Sequence, residues 1–172
     1  MNILFGLVAA QAATLRVPAD HSTIAAAIQA ASPGDDVLVS DGAYHESLKL
    51  DRDIWVHSEN GPASTFILGA ANDSLPVEFL PFGTPQGVNL EGFTITNDKG
   101  PSVALGRAVG LYVAPTATPY VKDVWVTGNS DHGILAECGG GTFANLWIFD
   151  NGGGRDGGGI RLSGASPSAP FD

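Results

Sequence analysis

The chain has a single cysteine, Cys138, among 172 residues. No intrachain disulfide and no thiolate metal cluster can be built from it, and its expected role is that of a small buried hydrophobe. Positive charge is scarce too. Eight Lys and Arg stand against 18 Asp and Glu, a formal net charge of −10, so nucleic acid and anionic membranes would meet long-range repulsion and are set aside as partners. No apolar run is long enough to span a bilayer as a helix, which argues against membrane insertion. The longest such run, Ile3 to Ala10, is followed by Gln11 and Ala12, and Ala10-Gln11-Ala12 supplies the small residues of a signal-peptidase site. Residues 1–12 therefore read as a signal peptide with a mature start near Ala13 or Thr14, which places the protein outside the cytoplasm: secreted, periplasmic or on the cell surface. No Lys or Arg precedes the run, and this leaves a mis-assigned start codon or a buried first strand as the alternatives.

Helical periodicity is nearly absent. It occurs once, over about 22–31, where Ile24, Ala27, Ile28 and Ala31 share one narrow face after Ser22, a good N-cap, and before the stop Ser32-Pro33-Gly34-Asp35. An Ala-rich face of that kind can lie close on another element but cannot form a core alone. What the chain has in excess is glycine, 23 residues, 11 of them between Gly133 and Gly164, the mark of a chain that turns often.

Between the turns lie apolar triplets: Val37-Leu38-Val39, Leu48-Lys49-Leu50, Ile54-Trp55-Val56, Phe66-Ile67-Leu68, Val77-Glu78-Phe79, Phe93-Thr94-Ile95, Leu111-Tyr112-Val113, Val124-Trp125-Val126, Leu146-Trp147-Ile148 and Ile160-Arg161-Leu162. In extended chain the outer members of each point one way and the middle member the other. Middle positions such as Lys49, Glu78, Thr94 and Arg161 suit a face turned to solvent, and Trp55, Trp125 and Trp147 occupy the same positions. The segments starting at Leu90, Val121 and Phe143 superpose at offsets of 31 and 22 residues, and those starting at Gly110, Gly133 and Gly159 at offsets of 23 and 26. Two strands recurring in fixed order describe a coil, in which each rung buries its inward pair against the rungs on either side. A leucine-rich solenoid would need Leu and Asn at fixed offsets that are missing, and a β-sandwich would not repeat triplet-turn-triplet in register. The fold class expected is thus all-β, a parallel β-helix over residues 13–164 with the helix at about 22–31 as its cap.

The segment Val17-Pro-Ala-Asp-His-Ser-Thr-Ile-Ala-Ala-Ala-Ile-Gln-Ala-Ala-Ser-Pro-Gly-Asp-Asp-Val-Leu-Val-Ser-Asp-Gly-Ala-Tyr-His-Glu46 resembles the opening of secreted, pectate-lyase-like right-handed parallel β-helix proteins. There a capping helix leads through Pro-Gly-Asp to the first strand and then to a Gly-x-Tyr-x-Glu turn. The resemblance extends to about Leu68, and from Val88 to Gly164 it continues as coil rhythm. It implies the right-handed fold but no single activity, since the superfamily spans lyases, hydrolases, esterases, epimerases, adhesins and carbohydrate-binding proteins. Galacturonan hydrolases would require paired aspartates beside a His-Gly; Asp131-His132-Gly133 offers the latter, while Asp35-Asp36 lies at the cap junction. The fixed aspartate, glutamine and arginine motifs of the methylesterases find no counterpart. A lyase would need a calcium-binding acidic cluster and a basic residue, which only Asp150, Arg155 and Asp156 imitate; Ca²⁺ is therefore expected only under the lyase alternative, and otherwise no cofactor and no metal.

Asn97, Asn129 and Asn151 recur at one turn, where Asn tolerates left-handed backbone and can stack amide on amide, so a structural ladder is preferred over sugar contact. Asp131, His132, Asp150, Arg155 and Asp156 fall in loops after the repeated triplets and are candidate substrate-binding residues, their carboxylates able to bind Ca²⁺ and Arg155 able to act on a uronate, against the plainer view of a glycine-rich connection carrying solubilising charge. Trp125 and Trp147 occupy equivalent outward positions in neighbouring repeats. They form either a platform for sugar rings or a patch covered by a flanking loop or further domain. His21, His45 and His57 show no metal-ligand spacing. Residues 165–172 read as a linker or truncated end, and because natural solenoids cover their last rung, further C-terminal coils or another domain of a longer parent chain are expected. The function expected is carbohydrate binding or adhesion at a polysaccharide or glycan surface, with a polysaccharide lyase acting on acidic chains as the alternative.

Overall fold

Strands of two to four residues cannot stand alone; they persist here because each is paired on its flanks by the same stretch of the coil before and the coil after. The computed structural model describes residues 11–70, 75–83, 89–97, 108–138, 140–152 and 158–164. The chain enters through β1 (Thr14–Val17) and the short helix α1 (Ile24–Ala30), then winds through five coils. The first coil is β2 (Asp36–Val39), β3 (Gly42–Tyr44) and β4 (Leu48–Leu50); the second is β5 (Trp55–Ser58), β6 (Thr65–Ile67) and β7 (Val77–Phe79). The third is β8 (Leu90–Glu91), β9 (Thr94–Ile95) and β10 (Leu111–Val113), followed by β11 (Tyr120–Lys122), β12 (Trp125–Thr127) and β13 (Ile134–Glu137), and by β14 (Thr142–Ala144), β15 (Trp147–Phe149) and β16 (Ile160–Ser163). Every pairing between coils is parallel, and three sheets result: β1-β2-β5-β8-β11-β14, β3-β6-β9-β12-β15 and β4-β7-β10-β13-β16. This is a parallel β-helix.

The register carries the core. In the first sheet Val37, Val56, Leu90, Val121 and Phe143 stack in one inward column. In the third, Leu48, Val77, Leu111, Ile134 and Ile160 form one column and Leu50, Phe79, Val113, Ala136 and Leu162 another. These side chains are fully buried through the fourth coil, whereas Ile160 and Leu162 on the last described rung are 47% and 44% exposed. The offsets of 31 and 22 residues read from the sequence are the register of β8, β11 and β14 themselves.

Several expectations are corrected in detail. Each coil holds three strands where the sequence suggested two, because a residue with positive φ, Gly92, Asp123 or Asn145, breaks each superposed segment between its first and second sheets. In Phe66-Ile67-Leu68 the phase is reversed: Ile67 is buried and Phe66 faces outward, level with Thr94 and Trp125. Thr94, expected in solvent, is buried and donates its hydroxyl to Pro62 O at 2.6 Å, since the loop after β5 folds over it. Tyr112 and Leu135 also sit at middle positions yet are buried, covered by Leu75, Val109 and Ala114 in a second, smaller apolar cluster on the outside of the third sheet. Burial, then a hydrogen bond to Glu137 Oε2 at 2.9 Å, pushes the Tyr112 hydroxyl up to about 12. Cys138 is exposed, not buried, with φ of 48° and its thiol against Gly164 O at 3.0 Å.

The cap helix runs Ile24–Ala30, and its N-cap is Thr23, whose hydroxyl accepts from Ala26 N, so Ser22 lies one residue outside. Ile24, Ala27 and Ile28 are buried against the start of the core. The carboxylate of Glu46 takes two further orphan amides of the first turn, Ile24 N at 3.0 Å and Ala25 N at 2.8 Å. This explains why a helix and a Gly-x-Tyr-x-Glu turn go together: the turn after β3 delivers the acid that closes the helix standing over it, and Tyr44 fixes the turn by donating to Ser40 O at 2.8 Å. Glu46→Ala is expected to lower the free energy of unfolding by about 1–2 kcal/mol. The measurement is urea denaturation: a lower midpoint at constant m is the expected result, with Glu46→Gln losing less because its amide oxygen still accepts one bond.

Residues 1–10, the body of the predicted signal peptide, and residues 165–172 lie outside the described residues. Among the described residues no helix is long and apolar enough to cross a membrane.

Candidate functional site

The corner between the first and second sheets is set by a column of left-handed residues, Gly92 (φ 82°), Asp123 (φ 51°) and Asn145 (φ 52°). Gly, Asp and Asn are the types that adopt this backbone at least cost, and two of them bring polar side chains to the bend. At Gly92 a Cβ would also collide with Ser58 Oγ, which lies against Gly92 O. The Ser58 contact, which the backbone angle does not impose at Asp123 or Asn145, is what singles out glycine at position 92.

The bend makes the outer surface concave, and a groove of about 500 Å³ runs along it, lined by Trp55, His57, Glu59, Glu91, Asp123 and Trp125 among others. Outward positions of the first sheet supply one wall. Trp55 and His57 sit two residues apart on β5, their rings stacked at 3.9 Å and 14°. His57 Nε2 lies 2.6 Å from Asp36 Oδ1, and Trp55 Nε1 donates to Glu91 Oε2 at 3.2 Å. The second sheet supplies the other wall through Trp125, on which Trp147 of the next rung stacks at 5.5 Å and 18°. Stacking covers one face of each ring and leaves the other. Trp55 remains 40% and Trp147 59% exposed, so both present apolar ring surface to solvent.

The floor is polar. Glu91, Asp123 and Asn145 form it, with Asn145 Nδ2 donating to Asp123 Oδ1; Lys122, outside the lining, bridges the two acids, its Nζ 2.9 Å from Glu91 Oε1 and 3.1 Å from Asp123 Oδ2. The Asn145 amide and then the Lys122 ammonium hold the Asp123 carboxyl below the usual carboxylate range. Lys122 is in turn held protonated, by Glu91 first and by Asp123. A fixed floor of acceptors between aromatic walls can take hydroxyls of a flat, partly apolar ligand without rearranging.

The residues proposed from sequence divide. Trp125 and Trp147 meet as described. Asp131 and His132 pair with each other at the approach to β13 and line no part of the groove; His132 is 2% exposed and presents no face to a ligand. Arg155 and Asp156 lie outside the described residues. Asn97, Asn129 and Asn151 stack on successive rungs at the turn after the second sheet: Asn129 Oδ1 accepts from Asn97 N at 2.7 Å, and Asn151 Oδ1 accepts from Asn129 N at 3.1 Å and Asn129 Nδ2 at 2.7 Å. Gly110 and Gly133 make room for them, since a Cβ at either would stand 2.7 and 2.8 Å from the Asn129 and Asn151 amide nitrogens respectively. Among the described residues no three His, Cys, Asp or Glu side chains converge in a way that could hold a metal ion.

Trp55, Glu91, Asp123 and Asn145 were not grouped as a site from sequence. One signal was present: in the superposed segments the third residue is Gly92, Asp123 and Asn145 in turn, a run of left-handed formers that marks a shared bend.

No family model matches the chain, and no curated protein does. Among solved structures it is similar to a pectin methylesterase mutant in complex with a hexasaccharide, at 21% identity and a TM-score of 0.58 over 81% of this chain and 49% of that one. It is similar to the same degree to the pectin methylesterase PemA from Erwinia chrysanthemi, at 22% identity and a TM-score of 0.58 over 81% of this chain and 50% of that one. The chain thus spans about half the length of these structures. The likeness shows the fold, the right-handed parallel β-helix.

Proposed function

We propose that the chain is an extracytoplasmic glycan-binding β-helix whose ligand lies along the groove between the first and second sheets. The observation that carries this reading is the facing of two indoles, Trp55 and Trp125, across a floor of carboxylates and an amide, with the exposed Trp147 stacked on Trp125 at the next rung. Sugar rings have apolar C–H faces that pack on aromatics and equatorial hydroxyls that donate to carboxylates, so one groove serves both halves of the ligand. Rigidity favours it further: Trp55 is held by His57 and Glu91, and Trp125 by Trp147, which lowers the ordering cost of binding. That the solved relatives in fold are named as pectin methylesterases, one of them holding a hexasaccharide, supports a polysaccharide as the ligand class.

The test is calorimetric titration with a panel of oligosaccharides. Trp55→Ala and Trp147→Ala are each expected to weaken binding about tenfold, or ~1.4 kcal/mol, with a smaller fall in melting temperature for Trp147, the more exposed, than for Trp55, which is held by His57 and Glu91. Trp125→Ala should weaken binding and also cost some stability, its ring being half-buried under Trp147. Binding that survives all three substitutions would remove the groove from the function.

A further inference from the structure

We infer that the groove selects uncharged glycan chains and rejects polyuronates, an inference that rests on the groove being the glycan site. Three carboxylates face it, those of Glu59, Glu91 and Asp123. The cation nearest to them is already committed: Lys122 bridges Glu91 and Asp123 and does not line the groove. His57 is turned to Asp36 and stacked on Trp55. Of the other described cations, Lys49 lies against Glu78 and Arg161 on β16, both on the third sheet, Arg52 lies beside Asp51, and Arg16 stands in the outward column of the first sheet two rungs before His57, outside the groove lining. A uronate laid across Trp55 would bring its carboxylate toward Glu91 and Asp123, and among the described residues no guanidinium or ammonium lines the groove to receive it. The chain as a whole, at −10, adds repulsion during approach. Hydroxyls meet the opposite situation, because every carboxylate oxygen is an acceptor and a charged acceptor makes the stronger bond. The fold is therefore shared with pectin methylesterases while the charge of this groove points away from an acidic ligand.

Oligogalacturonides of one length, fully methyl-esterified in one preparation and fully de-esterified in the other, test this directly, with a neutral galactan oligosaccharide as the third ligand. The esterified and neutral chains are expected to bind, and the free acid to bind at least about tenfold more weakly at low salt. That gap should narrow as ionic strength passes ~0.15 M, where the screening length falls to about 8 Å. Glu91→Gln and Asp123→Asn, checked for folding by circular dichroism, should narrow it as well; the salt series needs no variant and stands if either fails to fold. Equal or tighter binding of the free acid overturns the charge selection and leaves the glycan site standing. Failure of all three chains to bind overturns the site and the selection together.

Discussion

Phe93→Ala is expected to lower the free energy of unfolding by about 3–5 kcal/mol. Phe93 is fully buried in the third of five coils, level with Thr65 below and Val124 above. Its neighbours cannot close the gap, because the backbone on both sides is pinned by parallel ladders to the next rung. The truncation therefore leaves a cavity and does not collapse. Stability in a stacked coil is close to a sum of neighbour terms, so a hole in the middle weakens two interfaces at once. Chemical denaturation should show the loss as a large drop in midpoint. Phe143→Ala, in the last described coil where the ring is only half-buried, should cost much less. Equal costs at the two sites would contradict a stack built from neighbour contacts.

Asn129→Asp is expected to be nearly as damaging at neutral pH, by roughly 2–4 kcal/mol. Asn129 is 1% exposed, and its Nδ2 donates to Thr127 O at 3.1 Å and to Asn151 Oδ1 at 2.7 Å. An aspartate there would set a buried anion against two acceptors, so its folded-state pKa must rise above the ordinary value near 3.9. For a carboxyl raised in the folded state, the protonated form is the compatible one. The variant's deficit is thus small below the unfolded pKa and grows as pH rises from there through the folded pKa. Denaturation midpoints of variant and wild type measured from pH 3 to pH 8 should diverge with rising pH. Parallel curves would mean that the amide ladder carries little of the fold.

The ladder shows what the sequence makes legible. Asn97, Asn129 and Asn151 can be aligned on paper because each closes a segment holding an apolar triplet, two residues past Ile95 and three past Val126 and Ile148, and the same alignment yields the register of three strands in the first sheet. The cap helix is legible from Ile24, Ala27 and Ile28, though its true N-cap is not, because Ser22 and Thr23 are both competent and Glu46, 22 residues away from Ile24, takes part. The bend was not read, since Gly92, Asp123 and Asn145 each sit inside what looks like one continuous strand. Missing the bend hides the groove. Trp55 lies on the first sheet and Trp125 on the second, in outward columns that converge only across that corner, and no spacing along the chain reveals the meeting. Thr94 departs from alternation because the loop between β5 and β6 covers the second sheet there, whereas Phe66 departs only in phase, since three apolar residues in a row do not say which of them points inward.

The central claim is that a glycan lies along the corner between the first two sheets, and a crystal structure of the chain soaked with a neutral oligosaccharide tests it most directly. The account predicts sugar rings packed on Trp55 and along the stack of Trp125 and Trp147, with hydroxyls about 2.6–3.0 Å from Glu91 or Asp123 oxygens. An oligosaccharide seated on another face, or a groove that stays empty at concentrations where calorimetry shows saturation, would contradict it.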